Sequence, residues 1–395
     1  MPGLTFLFSL SFSPLSVSAG PYLDSAHGNT GYGVERTALA SSHTQGNCGH
    51  CHDQHTAAAD GYLLLTDNFS DVTTNPYSTS DPACFACHSN VDQLQTGITN
   101  NNYSATFGGA AATTTSIRAA FNQTSYHNLY DIKEFITDTT VTKPFDDFPT
   151  GSNPCSGCHN AHIAKANKRS PGDPSDTAIS RPSDHENLWG DDTTERMTSA
   201  AYGTSYQPPY YSGGSSLEPD GLSSDKATQA AKTPDYITFC TDCHNATNVI
   251  WSTKSSRNLK TFDWDLEQHG AGAATDSSKV EMIAPYSDAN LGSFILSCLD
   301  CHEPHGSNNS YLLRTSVNAG TVDLPAGTED DAQEWDHLCS SCHLAASDLK
   351  NFHHLVSGDF DCLDCHYTKP PTVPLVRNCI TCHYHGSAAG LHKTF

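Results

Sequence analysis

The sequence predicts a fold made mostly of coil and turns, with short helices and few short strands. Only 36% of the 395 residues are hydrophobic and 16% are charged, whereas 28 are glycine and 21 are proline. Clear helical or strand periodicity is scarce. A chain of this composition buries too little aliphatic side chain to offset its conformational entropy, so either it is disordered or a non-protein hydrophobe completes its core.

A few segments carry a local signal. We expect short helices at Ile117–Phe121 and Ile132–Ile136, and a short strand at Tyr311–Arg314. Length alone would suggest two or three domains. The scattered signals instead favour one continuous body over residues 20–395, with a soft boundary near 240–290.

Residues 1–19 have most features of a secretory signal peptide. The apolar stretch Leu4–Val17 is too short to span a bilayer and runs into small residues, although no Lys or Arg precedes it. We therefore expect a secreted protein, extracellular or at the cell surface, with the periplasm as the alternative. No later segment is apolar enough for a membrane helix.

The chain is strongly acidic, with a net charge of −23 and only 20 Lys and Arg residues. This charge argues against nucleic-acid binding and fits cationic partners. Acidic clusters at Asp146–Asp147, Asp191–Glu195 and Glu329–Asp331 offer oxygen ligands for calcium. None has EF-hand spacing, so a solvated acidic face is the preferred interpretation.

All sixteen cysteines fall into eight Cys-x-x-Cys-His motifs, which we number 1 to 8 in chain order. The cysteine pairs are Cys48 and Cys51, Cys84 and Cys87, Cys155 and Cys158, Cys240 and Cys243, Cys298 and Cys301, Cys339 and Cys342, Cys362 and Cys365, and Cys379 and Cys382. The histidines that follow them are His52, His88, His159, His244, His302, His343, His366 and His383.

This spacing is the attachment signature of c-type haem. Two thiols three positions apart lie about one helical turn apart on one face, so both can form thioethers to the vinyl groups of one haem. The next histidine is then carried to the iron as its proximal ligand. The sequence thus predicts eight covalent haems (iron) that form the core of a multihaem cytochrome c fold.

Zinc sites and disulfides are the alternatives for paired cysteines. Neither needs a histidine directly after every second cysteine, and disulfides do not require uniform two-residue spacing. Both are therefore disfavoured.

Histidine is also the expected second axial ligand. After signal cleavage only Met197 and Met282 remain, whereas fourteen of the 22 histidines lie outside the terminal motif position. Bis-histidine sites lack the potential-raising effect of methionine, so low potentials are expected.

Local patterns select eight distal candidates. Four follow an attachment histidine within three residues, too close to swing round their own haem, so we expect them to reach a neighbouring haem. Two precede a glycine, which would leave room for a haem edge. The candidates are His55, His162, His305, His385, His27, His269, His127 and His354.

Several histidines remain as alternatives. His353 adjoins His354, and geometry allows one of the two as a ligand. His50 lies inside a motif and is expected at the surface. The other runners-up are His43, His185, His337 and His392.

Six runs of residues carry a resemblance that extends from about residue 21 to the C-terminus: Ser25–Asn29, Gly46–His55, Asn153–His162, Leu188–Met197, Cys298–Ser307 and Cys379–Gly386. In them the chain resembles secreted multihaem cytochromes of metal-reducing bacteria. The resemblance implies extracellular electron transfer to other cytochromes, minerals or cells. Some such proteins polymerise into filaments in which a histidine of one subunit caps a haem of the next, a role for which His27 or His43 would be the candidate here.

Two other functions stay open. An octahaem enzyme acting on nitrite, hydroxylamine or tetrathionate would need an iron with an open position, and a Cys-x-x-Cys-Lys motif would be one sign of it. All eight motifs end in histidine, which favours an electron conduit. A surface protein that only stores electrons is the third hypothesis.

Overall fold

The structure is a computed structural model that describes residues 20–53, 68–89, 94, 116–143, 145, 147–164, 236–261, 263–264, 298–318, 320–327 and 337–342. Helices and strands in these ranges are short and are joined by turns and coil, as the composition predicts. The α-helices are α1 (Gly20–Leu23), α2 (Ile117–Phe121), α3 (Leu129–Thr137), α4 (Tyr236–Thr241) and α5 (Cys298–Cys301). Short 3-10 helices span Thr37–Leu39, Cys48–His50, Ala83–Ala86, Pro154–Gly157 and Ser310–Leu312.

Six two-residue strands form three antiparallel ladders among the described residues. They are β1 (Ser125–Tyr126), β2 (Trp251–Ser252), β3 (Arg257–Asn258), β4 (Gly306–Ser307), β5 (Ser316–Val317) and β6 (Gly320–Thr321). Strand β2 pairs with β3 and β5 with β6, both locally. Strand β1 pairs with β4, which joins segments about 180 residues apart.

Two of the three predicted elements are present. The helix at Ile117–Phe121 is confirmed, and Ile132–Ile136 lies within the longer helix α3. The predicted strand at Tyr311–Arg314 is wrong, because Ser310–Leu312 forms a 3-10 helix. Tyr311 and Leu312 have φ angles of 56° and 59°, in the left-handed region, so the chain turns where a strand would run straight.

Each described attachment motif starts on one turn of helix. In motifs 1 to 5 the backbone N–H of the attachment histidine donates to the carbonyl of the first cysteine at 2.9 Å. Asn47 and Asn153 cap two of these turns, because their side chains accept from the N–H groups of Gly49 and Cys155. This turn brings both sulfurs and the histidine to one region, as the haem-attachment hypothesis requires.

The buried side chains of the described ranges form several small clusters. One of them contains Tyr77, Phe85, Phe121, Tyr126 and Leu129. Phe85 lies between the two cysteines of motif 2, so this cluster packs directly on an attachment turn. Two smaller clusters surround Phe135 with Ile136 and Phe148, and Leu313 with Leu324.

Helix α3 is capped at both ends. Asn128 accepts from the N–H groups of Tyr130 and Asp131 at its start. At its end the ammonium of Lys143 donates to the carbonyls of Phe135, Ile136 and Asp138 at 3.1, 3.0 and 2.7 Å. The Lys143 side chain is only 1% exposed. Because a buried cation satisfies the last carbonyls, the helix ends in a fixed position against the turn Pro154–Gly157 of motif 3.

None of the helices described above has the length and apolar character that a membrane crossing requires.

Replacing Lys143 by methionine is expected to lower the stability of the haem-bound protein by about 1–3 kcal/mol, because the carbonyls of Phe135, Ile136 and Asp138 each lose a charged donor. The measurement is chemical denaturation followed by circular dichroism. Asp147→Asn is the matched control, since this half-exposed carboxylate pairs with Lys143 at 2.8 Å and contributes about 0–1 kcal/mol. Equal losses in the two variants would contradict the capping role.

Candidate haem-binding sites

None of the cysteines of motifs 1 to 6 is in a disulfide bond. Burial raises the pKa of Cys51 to about 12 and that of Cys158 to about 11, with nearby cysteines adding to the shift at Cys51. Within the described residues the cysteines therefore form no disulfide framework, and all of them except the exposed Cys48 are at least partly shielded from solvent.

Sulfurs of consecutive motifs lie close to each other. The thiols of Cys84 and Cys155, in motifs 2 and 3, share a hydrogen bond, which raises the pKa of Cys155. Cys240 and Cys298, in motifs 4 and 5, make the same contact, and it raises the pKa of Cys240. Burial raises the pKa of Cys243, and Cys158 of motif 3 raises it further.

The remaining contacts continue this order. Besides burial, Cys84 and Cys87 of motif 2 raise the pKa of Cys51 in motif 1. In the same way, Cys339 and Cys342 of motif 6 add to the effect of burial in raising the pKa of Cys301 in motif 5. Attachment of haem would convert these thiols into thioethers, and the sulfurs would remain close to each other. The first six motifs are therefore neighbours in chain order.

Four attachment histidines each face a histidine from elsewhere in the chain. The pairs are His52 with His162, His88 with His27, His159 with His305, and His244 with His127. Their ring centroids lie 6.0 to 6.2 Å apart. The ring planes are nearly parallel in the first and third pairs, at 13° and 10°, and nearly perpendicular in the second, at 75°.

This separation fits two imidazoles on opposite sides of one iron. An imidazole nitrogen lies about 2 Å from a bound first-row metal ion. The ring centroid lies about 1.1 Å behind that nitrogen, given ring bonds of about 1.33 Å. Two such ligands in line therefore place their centroids about 6 Å apart. An ordinary aromatic contact would also allow this distance, but it would not require that one member of each pair follow a Cys-x-x-Cys.

Two of the paired rings and one further attachment histidine are oriented through Nδ1. Nδ1 of His27 donates to the carbonyl of Ala161 at 3.0 Å, and Nδ1 of His127 donates to the carbonyl of Pro304. His302 of motif 5 donates in the same way to Tyr311, at 2.9 Å. A proton held on Nδ1 leaves the Nε2 lone pair for a metal, which is the usual arrangement of a ligating histidine.

Burial also keeps these imidazoles neutral. Burial, together with the neighbouring imidazoles, lowers the pKa of His88 and His305 to about 3 and that of His244 to about 4. The same cause lowers the pKa of His27 and His127. At neutral pH each of these rings is therefore in the form that binds metal ions.

One histidine contact of similar distance is different in kind. The rings of His43 and His50 lie 6.0 Å apart, but neither is an attachment histidine. Both ring nitrogens of His50 are engaged, since Nδ1 accepts from Arg36 N–H at 3.1 Å and Nε2 donates to Thr44 at 3.0 Å. His50 is thus a buried structural residue, and its predicted surface position is wrong. Those two hydrogen bonds are what allow a polar ring to be buried there.

The distal candidates that the structure describes face attachment motifs, in an arrangement that the sequence did not predict. His162 and His305 face motifs 1 and 3, which lie two motifs before their own, whereas the close spacing suggested an adjacent haem. His27 faces motif 2 of the same chain. The space at Gly28 accommodates the backbone of Tyr22 and not a cofactor edge, because a Cβ there would lie 2.1 Å from the Tyr22 carbonyl oxygen.

The β1–β4 ladder explains how the middle of the site is assembled. Tyr126 is opposite Gly306, so the register continues to place His127 opposite His305. Gly306 is required because a Cβ there would meet the Ala120 carbonyl oxygen at 2.1 Å. Two residues of ladder thus bring together histidines 178 positions apart in the sequence.

Sequence reasoning missed the residues that surround the paired rings. Phe121 packs edge-on against His305 at 5.4 Å, and Tyr22 packs similarly against His162 at 5.9 Å. Glu303 lies 3.8 Å from Nδ1 of His305. The carbonyls of Ala161 and Pro304 have no sequence signature, because every residue has a backbone carbonyl. The signal that could have located them is the His-x-x-His spacing, which occurs at both positions.

Many predicted residues lie outside the described ranges. They are the distal candidates His55, His269, His354 and His385, the alternatives His185, His353 and His392, the attachment histidine His343, and motifs 7 and 8 with Cys362, Cys365, His366, Cys379, Cys382 and His383. The alternative His337 is described, and its backbone carbonyl accepts from Ser340 and Ser341.

Metal sites built from protein side chains alone are not found in the described ranges, which contain no cluster of three or more His, Cys, Asp or Glu suited to a metal ion. Of the acidic clusters considered for calcium, only Asp147 is described, and its carboxylate pairs with Lys143.

Comparison with protein families gives one match. Residues 296–322 match the family described as "Doubled CXXCH motif". The matched segment contains motif 5 and the β4, β5 and β6 strands that follow it. Searches of curated proteins and of solved structures find no match. A doubled CXXCH motif is typical of multihaem c-type cytochromes, and it supports covalently bound haem c in this chain.

Gly306→Ala is expected to lower the stability by about 1–3 kcal/mol, because the added methyl overlaps the Ala120 carbonyl and forces β1 from β4. It should also weaken the His127 and His305 contacts and raise the high-spin fraction in the ferric absorption spectrum. Gly31→Ala is the control, since its Cβ would make only an ordinary 3.4 Å contact. An unchanged spectrum and denaturation midpoint would refute this account of the ladder.

Proposed function

We propose that this chain is a secreted electron-transfer protein that carries electrons along eight covalently bound c-type haems with bis-histidine ligation. The observation that carries the proposal is the set of four imidazole pairs at 6.0 to 6.2 Å, each containing the histidine of an attachment motif. Four further Cys-x-x-Cys-His motifs of the same form support the count of eight.

The cysteines and histidines of each motif have separate roles that suit electron transfer. Cysteine pairs would hold each haem covalently, and the histidine after them would bind its iron. When bound, haem supplies a one-electron ferric and ferrous couple. In motifs 1 to 4 a second histidine faces the attachment histidine and would also bind the iron, which would leave no site for a substrate there and disfavours catalysis. Two neutral imidazoles favour a lower potential than histidine with methionine would.

The proximity of consecutive motifs supports a continuous path. The sulfurs of motifs 1 to 6 are neighbours in chain order, and two of the contacts are direct hydrogen bonds between thiols. Groups attached to neighbouring sulfurs lie close to each other, and closeness is what electron transfer between them needs. The chain would therefore act as a conduit with an entry and an exit at different motifs.

The extracellular role rests on other features of the chain. The signal-like residues 1–19 support export, and covalent haem chemistry is consistent with it. The net charge of −23 favours soluble behaviour and cationic redox partners. Other cytochromes and minerals are the proposed partners, and assembly into filaments is the finer hypothesis that the resemblance implies.

The purified protein should have a mass equal to the processed polypeptide plus eight haems, and its ferric spectrum should be low-spin throughout. Cys155→Ser with Cys158→Ser should lower the mass by one haem, because both thioethers of motif 3 are removed. Ser156→Ala, between the same two cysteines, is the control and should keep all eight. A colourless protein with the mass of the bare polypeptide would disprove the proposal.

Cell fractionation with haem staining should place the full-length product outside the cytoplasm, in the medium or at the cell surface. Deleting residues 2–19 should abolish haem attachment and leave the polypeptide in the cytoplasm. Haem-bearing product that stays in the cytoplasm would contradict the secreted role while leaving electron transfer intact.

A further inference from the structure

Two segments of the chain repeat one arrangement of ligands. His159–His162 follows motif 3 and His302–His305 follows motif 5, each as a histidine, two residues and a second histidine. In the first segment, His159 belongs to motif 3, Ala161 accepts from His27 and His162 faces His52 of motif 1. In the second segment, His302 belongs to motif 5 and Pro304 accepts from His127, which faces His244 of motif 4. His305 faces His159 of motif 3.

The correspondence holds position by position. The carbonyl two residues after the attachment histidine, Ala161 or Pro304, binds Nδ1 of a distal histidine, His27 or His127. That distal histidine faces the preceding motif, since His27 pairs with His88 of motif 2 and His127 with His244 of motif 4. The last histidine of the segment faces the motif before that, at 6.2 Å in both cases.

The elements that hold the two segments are unrelated, which makes the agreement informative. The second segment is held by the β1–β4 ladder at Gly306. The first is held by a hydrogen bond of 2.7 Å from Ala26 N–H to the Ala164 carbonyl, with no strand involved. The intermediate residues also differ, being asparagine and alanine in one and glutamate and proline in the other. The shared feature is therefore the position of the two histidines and the carbonyl between them.

From this we propose that each four-residue segment is a clamp on three successive haems, an inference that rests on the proposed haem attachment. The first histidine binds the iron of its own haem n. The carbonyl orients the distal ligand of haem n−1, and the last histidine binds the iron of haem n−2. His159–His162 would hold haems 3, 2 and 1, and His302–His305 would hold haems 5, 4 and 3.

The clamp has a consequence that no isolated attachment motif provides. Haem 3 takes its proximal ligand from one clamp, through His159, and its distal ligand from the next, through His305. The two clamps therefore share one haem, and five successive haems become one mechanically linked series. A shift of one residue within a clamp should disturb two haems together, the one it caps and the one whose ligand it orients.

The test of the capping role uses His162→Ala and His305→Ala in the haem-bound protein. Each variant should keep all thioethers by mass and convert one haem of the eight from low-spin to high-spin in the ferric EPR spectrum. Combining His162→Ala with Cys48→Ser and Cys51→Ser removes haem 1, so the new high-spin signal should disappear. A signal that survives would show that His162 caps a different haem and would overturn the clamp.

The test of the orienting role inserts one glycine between Asn160 and Ala161, which displaces both the carbonyl and His162. The expected spectrum combines one high-spin haem with an altered low-spin signal from haem 2, whose ligand planes at 75° give it an EPR signature distinct from that of near-parallel pairs. His27→Ala should instead make haem 2 high-spin. An insertion that changes haem 1 alone would overturn the orienting role.

Two controls separate these effects from general damage. Inserting a glycine between Ser255 and Ser256, in the exposed turn between β2 and β3, should leave every haem low-spin. Thr140→Ala should do the same, because its exposed hydroxyl donates to Asp138 in the turn after α3. Protein that lacks haem altogether would refute the proposed function, whereas fully haem-loaded protein that stays low-spin in His162→Ala would refute the clamp alone.

Discussion

The hydrogen bond from the attachment histidine N–H to the first cysteine carbonyl is the contact on which the rest of the structure depends. It is 2.9 Å long in motifs 1 to 5, whether the surrounding residues are 3-10 helical, as at Ala83–Ala86, or α-helical, as at Cys298–Cys301. One turn of helix is enough to place two sulfurs and an imidazole together. Because the motif needs so little regular structure, the chain between motifs can be mostly coil.

In such a chain, many local contacts contribute to stability. The apolar clusters are small, and each packs on or near an attachment turn, as Phe85 does within motif 2. Asparagine caps start several turns, and a buried lysine closes the end of α3. These contacts position the backbone around the attachment turns. A covalently attached hydrophobic group between facing histidines would add apolar contacts to those made by these clusters.

Local sequence signals predicted local structure well and long-range geometry poorly. The helix at Ile117–Phe121 was predicted correctly, and its start is set by the adjacent Ser116, whose side chain accepts from the N–H of Ala119. The strand at Tyr311–Arg314 was wrong because Tyr311 and Leu312 have left-handed backbone angles, and their carbonyls accept from Nδ1 of His302 and from the N–H of Glu303. His50 was misplaced for a related reason. Its burial depends on backbone groups of Arg36 and Thr44, which lie 14 and 6 residues before it and which no motif marks.

By itself the sequence determined the chemistry of attachment, since eight motifs with one spacing leave little choice of group, and it named His27, His127, His162 and His305 as ligand candidates. Only the tertiary structure decided which motif each of them faces. A ligand in a short motif is set by bond lengths and one helical turn, which sequence spacing encodes. A ligand that faces a motif over a hundred residues away depends on where backbones cross, such as the approach of Gly306 to Ala120, and that crossing is set by packing that no local pattern contains.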